Sequence, residues 1–112
     1  PQFLDTFARS ASHAAQGQQL LDEAAGQDLD SVRHATIGTP RIKALQALSR
    51  PRQANVVRYW LKQSFQVIPS AAQLSELLDQ VAHCTTRGHH IHIKVGKGFV
   101  QRSRDVLAWY NP

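Results

Sequence analysis

The first third of the chain has a hydrophobic pattern typical of one long helix. Over residues 3–25, mostly apolar or small residues recur at steps of three and four, and no proline interrupts them. The stripe consists of Phe3, Phe7, Ala11, Ala14, Gln18, Leu21 and Ala25, widened by Leu4 and Leu20. Gly26 is a candidate stop, with Leu29 and Val32 facing inward if the helix continues. Because the stripe is thin and rich in alanine, we expect a connector between domains and not a free-standing coiled coil.

The segment after this helix combines a turn signal with a short alternating pattern. Thr36, Gly38, Thr39 and Pro40 form a turn cluster. Polar and apolar residues then alternate over residues 41–48, which predicts a short strand or extended segment.

Two further helices are predicted from caps and from apolar spacing. Ser49 and Pro51 suit the start of the first, whose buried stripe is Val56, Val57, Trp60 and Leu61. Its opposite face carries Arg52, Asn55, Arg58, Tyr59 and Lys62. Ser70 to Gln73 matches a capping box that opens the second helix. Its core positions are Leu74, Leu77, Leu78 and Val81, its water-facing positions are Glu76, Asp79 and Gln80, and it is predicted to end near Thr85.

After Arg87-Gly88 the hydrophobic period changes from 3.6 to 2. Ile91, Ile93 and Val95 point one way, while His90, His92 and Lys94 point the other. Gly96-Lys97-Gly98 predicts a hairpin turn, 99–102 a return strand, 103–105 a second turn and 106–110 a third strand. The predicted fold class is therefore α+β, with a long N-terminal helix, two further helices and a small antiparallel β-meander.

The composition of the chain is ordinary, but its two parts differ strongly in net charge. The 112 residues, 42% of them hydrophobic and 19% charged, are typical of one globular domain without a membrane-spanning segment. Residues 1–30 have a net charge of −4, whereas residues 31–112 hold twelve Lys or Arg against three acidic residues, a net charge of +9. Such asymmetry favours a polyanionic partner, most commonly RNA or DNA. The single cysteine, Cys84, excludes an internal disulfide and suits a reducing cytoplasm.

The basic residues are the best functional candidates, because guanidinium and ammonium groups bind phosphate oxygens. One group lies on a helix face and the other on the meander and its edges. The candidate nucleic-acid-binding residues are Arg52, Arg58, Tyr59, Lys62, Arg87, Lys94, Lys97, Arg102 and Arg104. The alternative is that several of these arginines only pair with Glu76, Asp79 or Asp105, or cover the edge of the core.

No catalytic or metal site is expected. His89, His90 and His92, with His83 and Cys84, could supply zinc ligands, but their spacing matches no zinc finger, and a solvent-facing, partly cationic strand is the preferred interpretation. Cys84 fits a small buried apolar residue better than a nucleophile. Phosphate-binding loops, dinucleotide-binding loops and nucleophile elbows have no match.

Several segments of the chain, taken in order along the sequence, resemble the bacterial tRNA(Ile)-lysidine synthetase family, also called MesJ. They are 48–61, with the sequence Leu-Ser-Arg-Pro-Arg-Gln-Ala-Asn-Val-Val-Arg-Tyr-Trp-Leu, the Pro69-Ser70 helix start, and 93–110, with Val-Gln-Arg and Leu-Ala-Trp-Tyr. Residues 9–11 and 20–23 are similar to the helix that connects the two domains in that family. Together these segments cover nearly the whole chain.

The resemblance implies a division at residue 34. Residues 1–34 would be the connector from an N-terminal catalytic domain, and residues 35–112 an α+β tRNA-binding domain. The abrupt start at Pro1 and end at Pro112 also suggests a piece of a longer protein. Arg58 and Arg102 match basic family positions, whereas Tyr59 and Gln101 stand where a second basic residue is frequent.

The resemblance also implies a function for the parent protein. Enzymes of the family use ATP, with magnesium, to adenylate the wobble cytidine of an isoleucine tRNA with a CAU anticodon, and lysine then displaces AMP. The Ser-Gly-Gly-x-Asp-Ser adenylating loop is absent here, so this part would bind tRNA in the cytoplasm and hold no cofactor. Two alternatives stay open: a structural module that orients the catalytic domain, and a DNA-binding regulator, although Glu76 and Asp79 do not suit a recognition helix.

Overall fold

The computed structural model describes residues 2–112, with side chains from residue 12 onward. Within that range the chain forms four helices and one three-stranded antiparallel sheet. The helices are α1 (Gln2–Val32), α2 (Ile42–Gln46), α3 (Arg50–Phe65) and α4 (Ala71–Ala82), and the strands are β1 (His92–Val95), β2 (Gly98–Ser103) and β3 (Val106–Tyr110). This arrangement confirms the predicted α+β class.

Helix α1 continues through Gly26, so the candidate stop there is wrong and the alternative, continuation with Leu29 and Val32 facing inward, is confirmed. Continuing the helix buries Leu29 and Val32, which offsets the roughly 1 kcal/mol that a glycine costs inside a helix. The second half of α1 packs against α3 and belongs to the core, whereas the side chains of residues 12–21 are exposed. The predicted stripe positions Phe3, Leu4, Phe7 and Ala11 lie outside the residues whose side chains are described.

The segment after the turn at residues 35–39 is helical, which corrects the predicted strand. Ile42 and Leu45 are buried on one face of α2. A segment of this length has too few residues for the two hydrophobic periods to be told apart. Extended character is limited to its start, where Pro40 and Arg41 form isolated antiparallel bridges to Arg33 and Val106.

Helices α3 and α4 confirm the predicted caps and apolar stripes. Ser49 is the N-cap of α3, although its side chain makes no capping hydrogen bond, and Pro51 lies in the first turn. In α4, Ser70 and Gln73 form the reciprocal capping box. The buried stripes are Val56, Val57, Trp60 and Leu61 in α3, and Leu77, Leu78 and Val81 in α4.

The sheet is the predicted meander, in the order β1-β2-β3. Its first turn is Gly96-Lys97, with Gly96 in the left-handed region at φ 62°. A Cβ at Gly98 would collide with the carbonyl oxygen of Tyr110 and lie 2.7 Å from the Trp109 ring, so only glycine fits here. Val95, Val100, Leu107 and Trp109 pack into the core on one face, and Phe65 of α3 stacks on Trp109 at 4.9 Å between ring centroids.

Candidate nucleic-acid interface

Helix α1 packs against the basic face of α3 and binds two of its arginines, although Arg52 and Lys62 remain exposed. Arg52 binds Asp28 through two hydrogen bonds of 2.6 and 3.2 Å, and Asp28 is 9% exposed. Arg58 donates to Asp22 at 3.0 Å. Asn55 donates to the backbone carbonyl of Leu21 at 2.8 Å. These contacts hold two oppositely charged helices together, because the acidic residues of α1 neutralise the arginines of α3.

These ion pairs shift the pKa of one group on each helix. The hydrogen bond from Arg58, helped by one from Gln18, lowers the pKa of the Asp22 carboxyl below its ordinary value of 3.8. The Asp28 carboxylate raises the pKa of Arg52 above its ordinary value. Both guanidinium groups thus have a structural contact with α1, and their predicted contact with nucleic acid stays a prediction; the Arg52 side chain remains 58% exposed.

The other two candidates on α3 are also next to α1. The hydroxyl of half-buried Tyr59 lies against Gly26, where an added Cβ would be 3.7 Å from the oxygen. Lys62 is exposed, and its charge contributes to the lowered pKa of Asp22. The four predicted residues of α3 therefore share one face, and that face is mainly a helix–helix contact.

A second basic group surrounds a cleft of about 470 Å³ between α2, the α4–β1 loop and the β2–β3 turn. Its basic lining residues are Arg41, Lys43, Arg87, Arg102 and Arg104, and its one acidic lining residue is Asp105. A neighbouring cavity shares Arg87, Arg102, Arg104 and Asp105 and adds His89 and His90. Three of the predicted residues thus come together here.

Arg41 and Lys43 were missed by the sequence analysis. The segment that carries them is brought to the β2–β3 turn by backbone hydrogen bonds from Ile42 N–H to the Asp105 carbonyl and from Leu107 N–H to the Pro40 carbonyl. Because the pattern suggested a strand outside the meander, nothing in it placed these cations beside Arg104. Their closeness in sequence, on either side of Ile42, was the only available signal.

Two of the basic side chains at the cleft are held by hydrogen bonds to the backbone, and three have no such contacts among the described residues. Arg102 donates to the backbone carbonyls of Thr86, His89 and Arg104 at 2.7–2.8 Å, so it fixes the α4–β1 loop to the β2–β3 turn. Arg41 donates to the carbonyls of Ser31 and Val32 at the end of α1. Among residues 12–112, by contrast, no side-chain hydrogen bond or ion pair engages the cationic groups of Lys43, Arg87 and Arg104.

The two remaining candidates lie on the sheet. Lys94 projects from the β1–β2 ladder opposite Phe99 and is exposed, and Lys97 is exposed in the turn between these strands. They are separate from the residues that line the cleft.

The histidines do not assemble a metal site in the part of the chain whose side chains are described, where no three His, Cys, Asp or Glu side chains are grouped closely enough to hold an ion. His92 stacks on Phe99 instead. Cys84 is half-buried against the core at the edge of the cleft. None of the described helices combines the length and the apolarity needed to cross a membrane.

The chain is similar to one family of known proteins. Residues 41–108 match the model of the TilS substrate binding domain. A tRNA(Ile)-lysidine synthase of Polaromonas naphthalenivorans is 62% identical over 97% of the chain. Enzymes of the same name from Burkholderia pseudomallei and Escherichia coli O157:H7 are each 35% identical, again over 97% of the chain.

The chain spans only part of these relatives, between 22% and 32% of the length of each of the three. The family match nevertheless covers more than half of the chain and includes α2, α3, α4 and most of the sheet. The chain therefore belongs to the TilS substrate-binding domain family.

Proposed function

We propose that this chain binds tRNA through the cleft between α2, the α4–β1 loop and the β2–β3 turn. The observation that carries the proposal is the convergence of five basic side chains from three separate segments around one cavity with a single carboxylate. Membership in a substrate-binding domain family supports RNA as the polyanion.

The chemistry of the cleft suits a ribose-phosphate backbone. The free cations of Lys43, Arg87 and Arg104 would each neutralise a phosphate, and the guanidinium groups add paired N–H donors. Arg102 and Arg41 use their donors on backbone carbonyls and would act by keeping the three segments in place. Folded RNA is recognised largely through its shape, backbone and 2′-hydroxyls, which a basic cleft of this kind can contact without reading sequence.

The proposed substrate is the isoleucine tRNA with a CAU anticodon. In the parent enzyme, ATP and magnesium would activate the wobble cytidine and lysine would be attached to it. The sequence of this chain lacks the adenylating loop, so ATP and magnesium would be bound elsewhere. The role of the residues described here is to hold and orient the tRNA in the cytoplasm, and no step of the ligase reaction is assigned to them.

Salt-dependent binding tests the proposal. Fluorescence anisotropy with labelled isoleucine tRNA is measured for the 112-residue chain and for Lys43→Gln, Arg87→Gln and Arg104→Gln over a range of salt concentrations. Each variant is expected to bind several-fold more weakly. Each should also reduce the slope of log K against log salt concentration by about one, because each loses one phosphate contact.

Lys62→Gln is the matched control, because it removes the same charge from an exposed lysine beside Asp22, outside the cleft. It is expected to leave both affinity and slope nearly unchanged. Affinity that does not depend on salt, or an equal loss in Lys62→Gln and Lys43→Gln, would contradict binding through the cleft.

A second candidate function, orientation of a catalytic domain, is favoured by the contact between α1 and α3. The ion pairs at Asp22–Arg58 and Asp28–Arg52 fix the direction of α1 relative to the rest of the chain. Leu20 and Leu21 of α1 are 67% and 51% exposed and provide apolar surface for a further domain. This function is compatible with tRNA binding, since the two use different faces.

A further inference from the structure

The sheet face that points away from the helical core carries a compact group of aromatic rings. The strand register aligns His92, Gln101 and Ala108 in one row and Lys94, Phe99 and Tyr110 in the next. None of these six residues is buried. The helices pack on the opposite face, where Val95, Val100 and Leu107 are fully enclosed. The chain thus presents an uncovered aromatic surface to solvent.

Three rings of this face lie in contact with one another. The His92 and Phe99 centroids are 4.6 Å apart with 17° between the ring planes, and Phe99 and Tyr110 are 5.7 Å apart with 28° between them. The His92 Nε2 and the Tyr110 hydroxyl are 3.2 Å apart, within hydrogen-bond distance. Phe99 is close to parallel with both neighbours, while His92 and Tyr110 are tilted by 43° to each other. Contacts that order the rings before any ligand arrives lower the entropy cost of binding.

The surroundings of the rings are complementary to a polyanion. Lys94 extends from the same face and Lys97 from the adjoining turn, and no acidic residue lies in β1, β2 or β3. Gln101 supplies an amide that can donate to and accept from a base edge. Strand β2 also reaches the basic cleft at its end, where Arg102 lines the cavity from the opposite face of the sheet.

We propose that this face stacks an unpaired nucleobase of RNA on the ring group formed by His92, Phe99 and Tyr110. Single-stranded nucleic acids are bound in this way where aromatic side chains lie beside cations, because every base has a π face. The inference deepens the proposed function, since it assigns a second contact to the same RNA substrate. It predicts that unpaired nucleotides contact the sheet while the backbone contacts the cleft.

The test compares labelled single-stranded oligouridine of about six nucleotides with an RNA duplex of similar phosphate number. Phe99→Leu and Tyr110→Leu remove a π face and keep apolar volume. Each is expected to weaken oligouridine binding about tenfold without changing the salt slope, because stacking releases no counterions. Duplex binding should change little. Phe65→Leu makes the same change in α3, where the ring packs on Trp109 at the opposite face of the sheet. This variant should bind oligouridine like the unmodified chain.

A measurement on the unmodified chain keeps the test independent of variant stability. On titration with oligouridine, the ring-proton NMR signals of Phe99 and Tyr110 are expected to move upfield. Unmoved ring signals, or unchanged affinity in both variants, would overturn the stacking proposal. If Lys43→Gln still weakens tRNA binding in that case, the cleft proposal stands alone. If the rings respond to oligouridine while tRNA does not bind, stacking stands and the tRNA proposal fails.

Discussion

Arg104 occupies a backbone position that glycine adopts more easily than arginine. Its φ is 57°, in the left-handed region, where L-residues other than glycine lose about 1–2 kcal/mol. Its side chain is exposed at the cleft. The two-residue turn between β2 and β3 requires a positive φ here, which glycine usually supplies.

Arg104→Gly is therefore expected to stabilise the fold and weaken tRNA binding at the same time. The free energy of unfolding should rise by about 0.5–1 kcal/mol, because relief of strain exceeds the entropy that glycine adds to the unfolded chain. The backbone carbonyl that accepts from Arg102 is retained. Denaturant unfolding and anisotropy with tRNA measure the two effects.

Gln66→Gly is the matched control, because Gln66 ends α3 at φ 55° and lies outside the cleft. It should give a similar gain in stability with unchanged tRNA affinity. A loss of stability in Arg104→Gly, or unchanged tRNA affinity, would show that the arginine is not retained for binding.

The sequence identified individual cations but not which of them have partners. Arg52, Arg58 and Arg102 seemed equivalent to Arg87 and Arg104 by residue type. In the fold, two of the three bind carboxylates of α1 and one binds backbone carbonyls. Apart from the Arg104 carbonyl, two residues from Arg102, these partners are 13–36 residues away in sequence, and no local pattern specifies such pairs.

At the scale of elements, sequence patterns correctly predicted the features that depend on interactions between neighbouring residues. The capping box of α4 and the Gly96-Lys97 hairpin depend on neighbouring residues, and both are confirmed. The helicity of α2 and the continuation of α1 past Gly26 depend on burial against distant elements; the first prediction was wrong, and of the two alternatives at Gly26 the continuation is confirmed. The same limit applies to α3, whose helical projection gave the angle of the basic face but not that α1 packs against it.

The α1–α3 contact is expected to weaken in acid through Asp22. A carboxyl whose pKa is lower in the folded chain stabilises the fold fully above its unfolded value of 3.8, and that stability is lost as pH falls through the lower folded value. Asp22→Asn should therefore lower the melting temperature at neutral pH. The difference from the unmodified chain should shrink to nothing well below pH 3.8. Circular dichroism melts over a pH series measure it.

Glu23→Gln is the control for this prediction. Glu23 lies on the same helix and accepts only from Gln19 among the described residues, without an ion pair to α3. Its neutralisation should change the melting temperature little at any pH. A constant difference between Asp22→Asn and the unmodified chain across the pH series would exclude the Arg58 contact as the cause.

For the molecule as a whole, the charge asymmetry has two different consequences. Part of the acidic charge of α1 neutralises arginines within the fold, through Asp22 and Asp28. Five other basic side chains meet at the cleft, where segments around residues 41–43, 84–87 and 102–105 come together, while Lys62, Lys94 and Lys97 lie outside it. The acidic residues of α1 thus contribute to cohesion of the fold, and the cations at the cleft are those proposed to bind tRNA.

A cleft assembled from three segments exists only in the folded chain, so tRNA bound there must stabilise the whole molecule. With free tRNA at about 100 times Kd, the free energy of unfolding should rise by about 2.7 kcal/mol, which corresponds to a melting temperature about 10 °C higher. Fluorescence of Trp60, which is 1% exposed, reports the transition. High salt should abolish the increase.

A variant that combines Lys43→Gln with Arg87→Gln distinguishes stabilisation by tRNA bound in the cleft from non-specific effects of RNA on thermal unfolding. The substitutions are at exposed positions, so the unliganded melting temperature should stay close to that of the unmodified chain. The stabilisation by tRNA should largely disappear, because the free cations of two of the three segments are gone. Equal stabilisation of both chains would mean that tRNA binds elsewhere. A fall in melting temperature on adding tRNA would mean that basic segments bind RNA better when unfolded, which a preformed cleft does not allow.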